Sequence, residues 1–341
     1  WVIADNKDNI AFQMSGLMPK RTDNWNGFTP APGWDSEYDW QGIVDFHDLP
    51  KSINPPEGYI VTANNDLNHL GKVAPINMPM GDYRAKRIEQ VLSEHDQHCV
   101  LTTQKLHFDV YSRQAKLFLD VLIPLLEKTG MQSSELSQLK NWDLNYDLDS
   151  TGAVLFEKFY DALRVQVFGR SDSSGGLGED VIKHLSEETG IFIDFYRNFD
   201  TVMLNERSCW FATQTRDEAF MSAFKAFQST ANNIDSKATW GQQNSVTFNN
   251  MLFQGKLPAF MGFDTPPIPL RGGRATPHQG QIYMSGGRQT SFSPSIRLIA
   301  QMDKTGLDTC LAGGPSDNRF SKWYKSGLKQ WIDGEYKKLV P

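Results

Sequence analysis

No stretch of this 341-residue chain approaches the 18 or more consecutive apolar residues of a membrane-spanning helix; the best run, VLIPLL at 121–126, is short and holds Pro124. A helical membrane span is therefore not expected. Cysteine is nearly as scarce. Cys99, Cys209 and Cys310 are odd in number and far apart, so they build neither a disulfide framework nor a zinc cluster, allow one bridge at most and leave the compartment open. Positive charge is in deficit: the net charge of -6 supplies no basic footprint for nucleic acid and no cationic face for a membrane surface. There is no GxSxG elbow from which to assemble a serine triad, and no GK[ST] follows the glycine pairs at 272–273, 286–287 and 313–314, so tight turns explain them better than phosphate cradles. Neither an initiator methionine nor a signal-peptide pattern precedes Trp1, and WVIA reads at once as a strand, so the sequence is expected to begin inside a longer chain.

What is present suits a globular protein with large buried layers. Hydrophobic residues make up 39% and aromatics 12%, with 21 phenylalanines and nine tryptophans. The length allows one large or two ordinary domains. Residues 1–66 read as strands and loops: WVIAD and IAFQMSG flank NKDN as a hairpin, and a loop rich in proline, glycine and tryptophan leads to a strand in GYIVTANN. Residues 67–235 read as mainly helical, with apolar positions at helical spacing in RAKRIEQVL, SRQAKLFLDVLIPLLEK, DSTGAVLFEKFYDALRVQVF and RDEAFMSAFKAFQST. Residues 236–341 return to short strands, QIYMSGG, TSFSPS and IRLIAQM, and close on an amphipathic helix through KWYKSGLKQWIDGEYKKL. The fold class expected is α+β.

Two stretches imitate metal sites. DLNYDLDS spaces Asp143, Asn145, Asp147 and Asp149 like the first half of a calcium loop, but Leu148 stands where glycine is needed and Val154 where a bidentate glutamate is needed. Asp149 or Ser150 as the cap of the following helix is the better account. EHDQHC brings His95, His98 and Cys99 together, yet a structural zinc needs four ligands, so a solvated helix end is the preferred reading.

A larger pattern carries more. WVIADNKDNIAFQMSG, YDWQGIVDFHDLPKSINPPEGYIVTANN, YRAKRIEQVL, FDVYSRQAKLFLDVLIPLL, WDLNYDLDSTGAVLF and GGPSDNRFSKWYKSGLKQWIDGEYKKL occur in an order that resembles the penicillin acylase (penicillin amidase) family of N-terminal-nucleophile hydrolases. The likeness runs from Trp1 to Leu339 and rests on six separated blocks. It implies part of a four-layer αββα sandwich with a large helical insertion. It also implies an amidohydrolase that cuts a linear amide, of a penicillin, a cephalosporin or an N-acyl homoserine lactone, through an acyl-enzyme.

In that family a precursor cuts itself into two chains, and the new terminal residue, usually serine, is both nucleophile and, through its α-amino group, general base. Trp1 opens a block resembling the interior of the larger chain. The resemblance therefore implies the C-terminal portion of that chain, partnered by the remainder of the processed precursor, lacking the nucleophile and inactive alone. Asn64 matches the asparagine whose side-chain amide helps form the oxyanion hole, and Asn65 is assigned to turn structure; a loop cap is the alternative for Asn64. Arg84 matches the arginine that orients the catalytic groups. A cation in a helix's first turn opposes the dipole, which itself predicts a tertiary partner for Arg84; Arg87, one turn on, is the substitute. NNDL replaces the NNSP-like continuation of some relatives. No cofactor is expected in this chain, and a calcium ion only in the complete enzyme, held largely by residues elsewhere. Location is expected to be periplasmic or secreted. The competing class is a non-catalytic scaffold fragment or degenerate paralogue that binds an acylated ligand or a partner chain.

Overall fold

The computed structural model describes residues 1–22, 25–170, 175–185, 188, 198–231, 237–250, 252–253, 255–285 and 288–340. Helices stand between two sets of antiparallel strands. The first set is the hairpin read from the sequence, β1 (Val2–Ala4) on β2 (Ile10–Gln13), with Val2 opposite Phe12. A third strand, β3 (Lys51–Ile53), pairs with β2. The strand expected in GYIVTANN does not form: residues 58–62 are irregular. Its apolar run pairs with no described strand that could take up its backbone groups, and a strand without a ladder leaves those groups to water.

The helical section is α1 (Tyr83–Ser93), α2 (Val100–His107), α3 (Arg113–Lys128), α4 (Ser134–Asn141), α5 (Thr151–Phe168), α6 (Asn198–Leu204) and α7 (Arg216–Ala231). Serine caps fix three starts. Ser112, Ser133 and Ser150 accept hydrogen bonds from the backbone N–H of Ala115, Leu136 and Ala153, each satisfying a donor that the helix cannot use, for about 1 kcal/mol apiece. Ser150 thus takes the cap for which Asp149 was the other candidate. Pro124 sits inside α3 on its exposed face, where water can serve the carbonyl that loses its donor.

The main core lies between α3, α5 and α7. Phe118, Phe156, Phe159, Tyr160, Phe220 and Phe224 are all at most 1% exposed. Phe118 meets Tyr160 edge-on at 5.3 Å and stacks on Phe220 at 6.0 Å, arrangements that the ring quadrupoles favour. Gly152 lets α5 close on α4: a Cβ there would stand 2.2 Å from the Trp142 ring.

After α8 (Trp240–Gln243) the chain returns to strands. β4 (Ser245–Val246) pairs with β5 (Ile268–Pro269), and β6 (Gln281–Ser285) with β7 (Arg288–Phe292). β8 (Ile296–Ala300), β9 (Leu307–Leu311) and β10 (Lys337–Leu339) form the other three-stranded sheet. The closing helix is shorter than its periodicity suggested. α9 is Leu328–Asp333 alone, stopped by Gly334 at φ 76°, the left-handed conformation that ends helices. The KKL that follows joins β9 instead. A smaller core of Val246, Ile268, Leu270, Cys310 and Trp331 supports this end.

Candidate functional site

Asn64 and Arg84 are brought together. Arg84 is the second residue of α1, and its Nη2 donates to the Asn64 Oδ1 at 2.9 Å and to the Ala63 carbonyl at 2.8 Å. This is the tertiary partner that the unfavourable helix-dipole position of Arg84 called for. Burial lowers the Arg84 pKa from its ordinary value, with the phenol of Tyr283 acting the other way; a guanidinium remains charged at neutral pH regardless.

The pairing settles which way the Asn64 amide points. A guanidinium has donors only, so the amide atom facing it has to be oxygen. The NH2 group is thereby turned away from Arg84, and Asn64 is exposed. The backbone is fixed as well: Asn64 is left-handed at φ 64°, and its carbonyl accepts from the Met80 N–H at 2.8 Å. Asparagine tolerates that conformation better than most residues. Asn65 serves the turn, its Oδ1 accepting from the Ala63 N–H at 3.0 Å. Arg87 is committed elsewhere: its Nε donates to Asp109 at 2.9 Å, and its guanidinium lies 4.7 Å from the Tyr111 ring centroid.

Sequence reasoning missed what holds α1 in place. Tyr83, immediately before Arg84, is buried and donates to Asp200 Oδ2 at 2.8 Å. Gln114 Nε2 donates to the same oxygen at 2.7 Å, and the Tyr160 hydroxyl to Asp200 Oδ1 at 2.5 Å. Burial raises the Asp200 pKa, against the three donors that lower it. A second buried knot adjoins this one: Tyr146 donates to Glu157 at 2.7 Å, Glu157 pairs with Arg274, and the Arg274 guanidinium lies over the Tyr160 ring at 4.6 Å. The one available signal was Asp200 beside the apolar residues of NFDTVML, since a carboxylate buried among them requires donors.

The metal-like motifs resolve as structure. Among the described residues no three His, Cys, Asp or Glu gather to hold a metal. In the calcium-like loop the Asp143 carboxylate is spent on the Asn145 backbone and side-chain amides, at 3.0 and 2.9 Å. The donor set does not fit calcium. Cys99 begins α2, with Thr102 returning a bond to its N–H at 2.9 Å, and His98 contacts the Leu92 carbonyl at 2.9 Å. Both histidines and Cys99 are exposed at that helix end. All three cysteines are free. In the pairs at 272–273 and 313–314 the first glycine has positive φ, 84° at Gly272 and 110° at Gly313; 286–287 lies outside the described residues. No described helix is long and apolar enough to cross a membrane.

Comparisons with known proteins agree with the order of sequence blocks. The family model for penicillin amidase matches residues 1–340. The chain is 28% identical over 318 residues to penicillin acylase 2 proenzyme of Pseudomonas sp. (strain SE83), covering 87% of this chain and 38% of that protein. It is 25% identical to acyl-homoserine lactone acylase QuiP of Pseudomonas aeruginosa, covering 98% of this chain and 43% of that protein. It therefore spans well under half the length of either relative. A solved thermostable penicillin G acylase from Alcaligenes faecalis superposes with a TM-score of 0.66 at 17% identity, over 99% of this chain and 64% of that one. At that identity the likeness speaks to the fold, and the α+β expectation holds.

Proposed function

Because the chain belongs to the penicillin amidase family, with the fold of part of an N-terminal-nucleophile hydrolase sandwich, we propose that it is a portion of an acylase that hydrolyses a linear amide. The substrate is an acylated amine of the penicillin, cephalosporin or N-acyl homoserine lactone kind; the names of the relatives, a penicillin acylase and a homoserine lactone acylase, support this class. The nucleophile comes from outside residues 1–341, in the remainder of a processed precursor. The designation of one relative as a proenzyme supports processing. A periplasmic or secreted location goes with the family.

The observation that carries the reading is the Arg84–Asn64 hydrogen bond. Attack on an amide carbonyl puts negative charge on its oxygen, and a neutral N–H already aimed there stabilises that charge without reorganising. Arg84 occupies the side-chain Oδ1 of Asn64 and so leaves the side-chain amide N–H as the group presented to substrate. Its own charge, one amide away, polarises that N–H and strengthens the donor. Tyr83, tied to Asp200, fixes the start of α1 from which Arg84 reaches. No step here uses a metal.

The test is Asn64→Ala in the complete, processed protein. An oxyanion donor acts in the transition state, so kcat and kcat/KM should fall together by about 10² to 10³, with the thermal unfolding transition unchanged. Unaltered turnover would remove Asn64 from the machinery. A complete protein in which no residue is acylated by a chromogenic acyl amide would favour the scaffold reading.

A further inference from the structure

A cavity of about 550 Å³ opens between α2, the segment around β5, β8 and α9, a size typical of small-molecule sites. Three cations stand on its walls: Lys105, Arg271 and Arg297. Arg297 is 4% exposed, lies 4.2 Å from the Phe108 ring centroid and 5.3 Å from that of Trp331, and donates from Nη1 to the Trp331 carbonyl at 3.1 Å. Its Nη1 also approaches Cys310 Sγ at 3.8 Å, and its Nε is buried without an acceptor.

None of the three cations pairs with a carboxylate among the described residues. The one acid on the walls, Asp333, is paired with Lys329. A buried guanidinium is ordinarily matched by an anion, because taking it out of water is costly and aromatic faces and carbonyls repay only part of that cost. The rest of the lining is largely apolar and includes Leu101, Leu148, Ile268 and Ile332. Inorganic phosphate could use these donors but would leave the apolar part of the wall uncovered. A carboxylate with a hydrocarbon tail asks for a fork of donors at one end and apolar surface at the other.

We propose that this cavity binds an organic monocarboxylate with an apolar tail, its carboxylate held by Arg297 and Arg271 and its tail lying along Leu101, Ile268 and Ile332. Hydrolysis of an acyl amide would release an acid of this class, but the binding inference rests on the cavity and not on the acylase reading.

Calorimetric titration of the full-length protein with octanoate, acetate, 1-octanol and inorganic phosphate tests it, with turnover left out so that failure here and failure of the acylase reading are separable. Saturable octanoate binding is expected, weaker with acetate and with octanol, and weakened about tenfold or more by Arg271→Gln or Arg297→Gln, the loss of a charge-assisted hydrogen bond. Arg271 is only half-buried, so Arg271→Gln decides the matter if Arg297→Gln does not fold. Four results would each overturn the proposal: no saturable octanoate binding at millimolar concentration, equal affinity for octanol, tighter binding of phosphate than of octanoate, or octanoate affinity unchanged in Arg271→Gln, which would put the acid elsewhere.

Discussion

The first 80 residues and the helical section are built on different terms. Of the described residues among the first 80, only Phe12, Leu49, Pro50 and Ala63 are buried, whereas α5 alone buries eleven. The same early stretch leaves Trp1, Leu17, Trp34 and Trp40 between 66% and 91% exposed. Its geometry rests on backbone pairing and a few polar contacts, such as Asn54 accepting from the Ile10 N–H at 2.9 Å. The helical section rests on aromatic packing. Asn64 belongs to the first kind of structure and Arg84 to the second. The lesson is that the candidate donor is held from outside its own segment: a loop with almost no core takes its precision from a residue on a packed helix.

The contrast is open to direct attack. Phe156 is fully buried, so Phe156→Ala should cost about 3 to 5 kcal/mol, while Trp34→Ala should lie within roughly 0.5 kcal/mol of wild type. Chemical denaturation of both variants measures this, and similar losses would erase the distinction between the two regions. A smaller effect concerns the link between them. Arg84→Lys keeps the charge but replaces a rigid fork by a point charge, so kcat in the complete protein should drop about 10- to 100-fold, the worth of one charge-assisted hydrogen bond. Near-wild-type turnover would mean that Asn64 does not take its orientation from Arg84.

The smallest expected effect tests whether the later strands share the stability of the helical section. His278 pins them to it, its N–H donating to the Asp109 carbonyl at 2.8 Å and its Nδ1 lying 3.0 Å from the His107 carbonyl, with its ring stacked on Phe108. Burial first, then Arg297 and Arg271, depress its pKa from 6.5 to about 3. Below 6.5 the unfolded chain binds a proton that the folded chain refuses, so stability falls as pH drops through the window from 6.5 toward about 3. By pH 5 the loss should reach at most about 2 kcal/mol. Urea unfolding between pH 7 and 5 should show a flatter profile for His278→Gln than for wild type. Parallel profiles would mean that His278 titrates normally and that the seam is loose.

Much of this architecture was legible beforehand, and the misses share a cause. The helices starting at Arg113, Thr151 and Arg216 followed from apolar spacing, and the start at Thr151 also from a cap at Asp149 or Ser150, because both signals act within a turn or two of the residue that carries them. The strand in GYIV and the long closing helix failed where a local pattern lacked a tertiary complement or met a glycine at positive φ. At the site, the oddity of a cation in a first helical turn pointed to a partner for Arg84 but could not say which atom it would grip. Asp200 left only its place among apolar residues as a trace, and nothing there named Tyr83 as its partner, since a hydrogen bond spanning 117 positions has no periodicity.

What the sequence determined alone is therefore most of the helices, the first hairpin and the family: six blocks in order, amphipathic spacing and a poverty of cysteine and positive charge. Those properties are written in short-range patterns that survive without a structure. Tertiary structure alone decided that the Asn64 oxygen meets Arg84, so that its N–H faces outward, that Asp200 gathers three donors, and that Arg297 is buried beside a cavity with no described carboxylate paired to it. Each depends on where chain closure carries one polar atom relative to another, and burial then makes the outcome costly to leave unpaired.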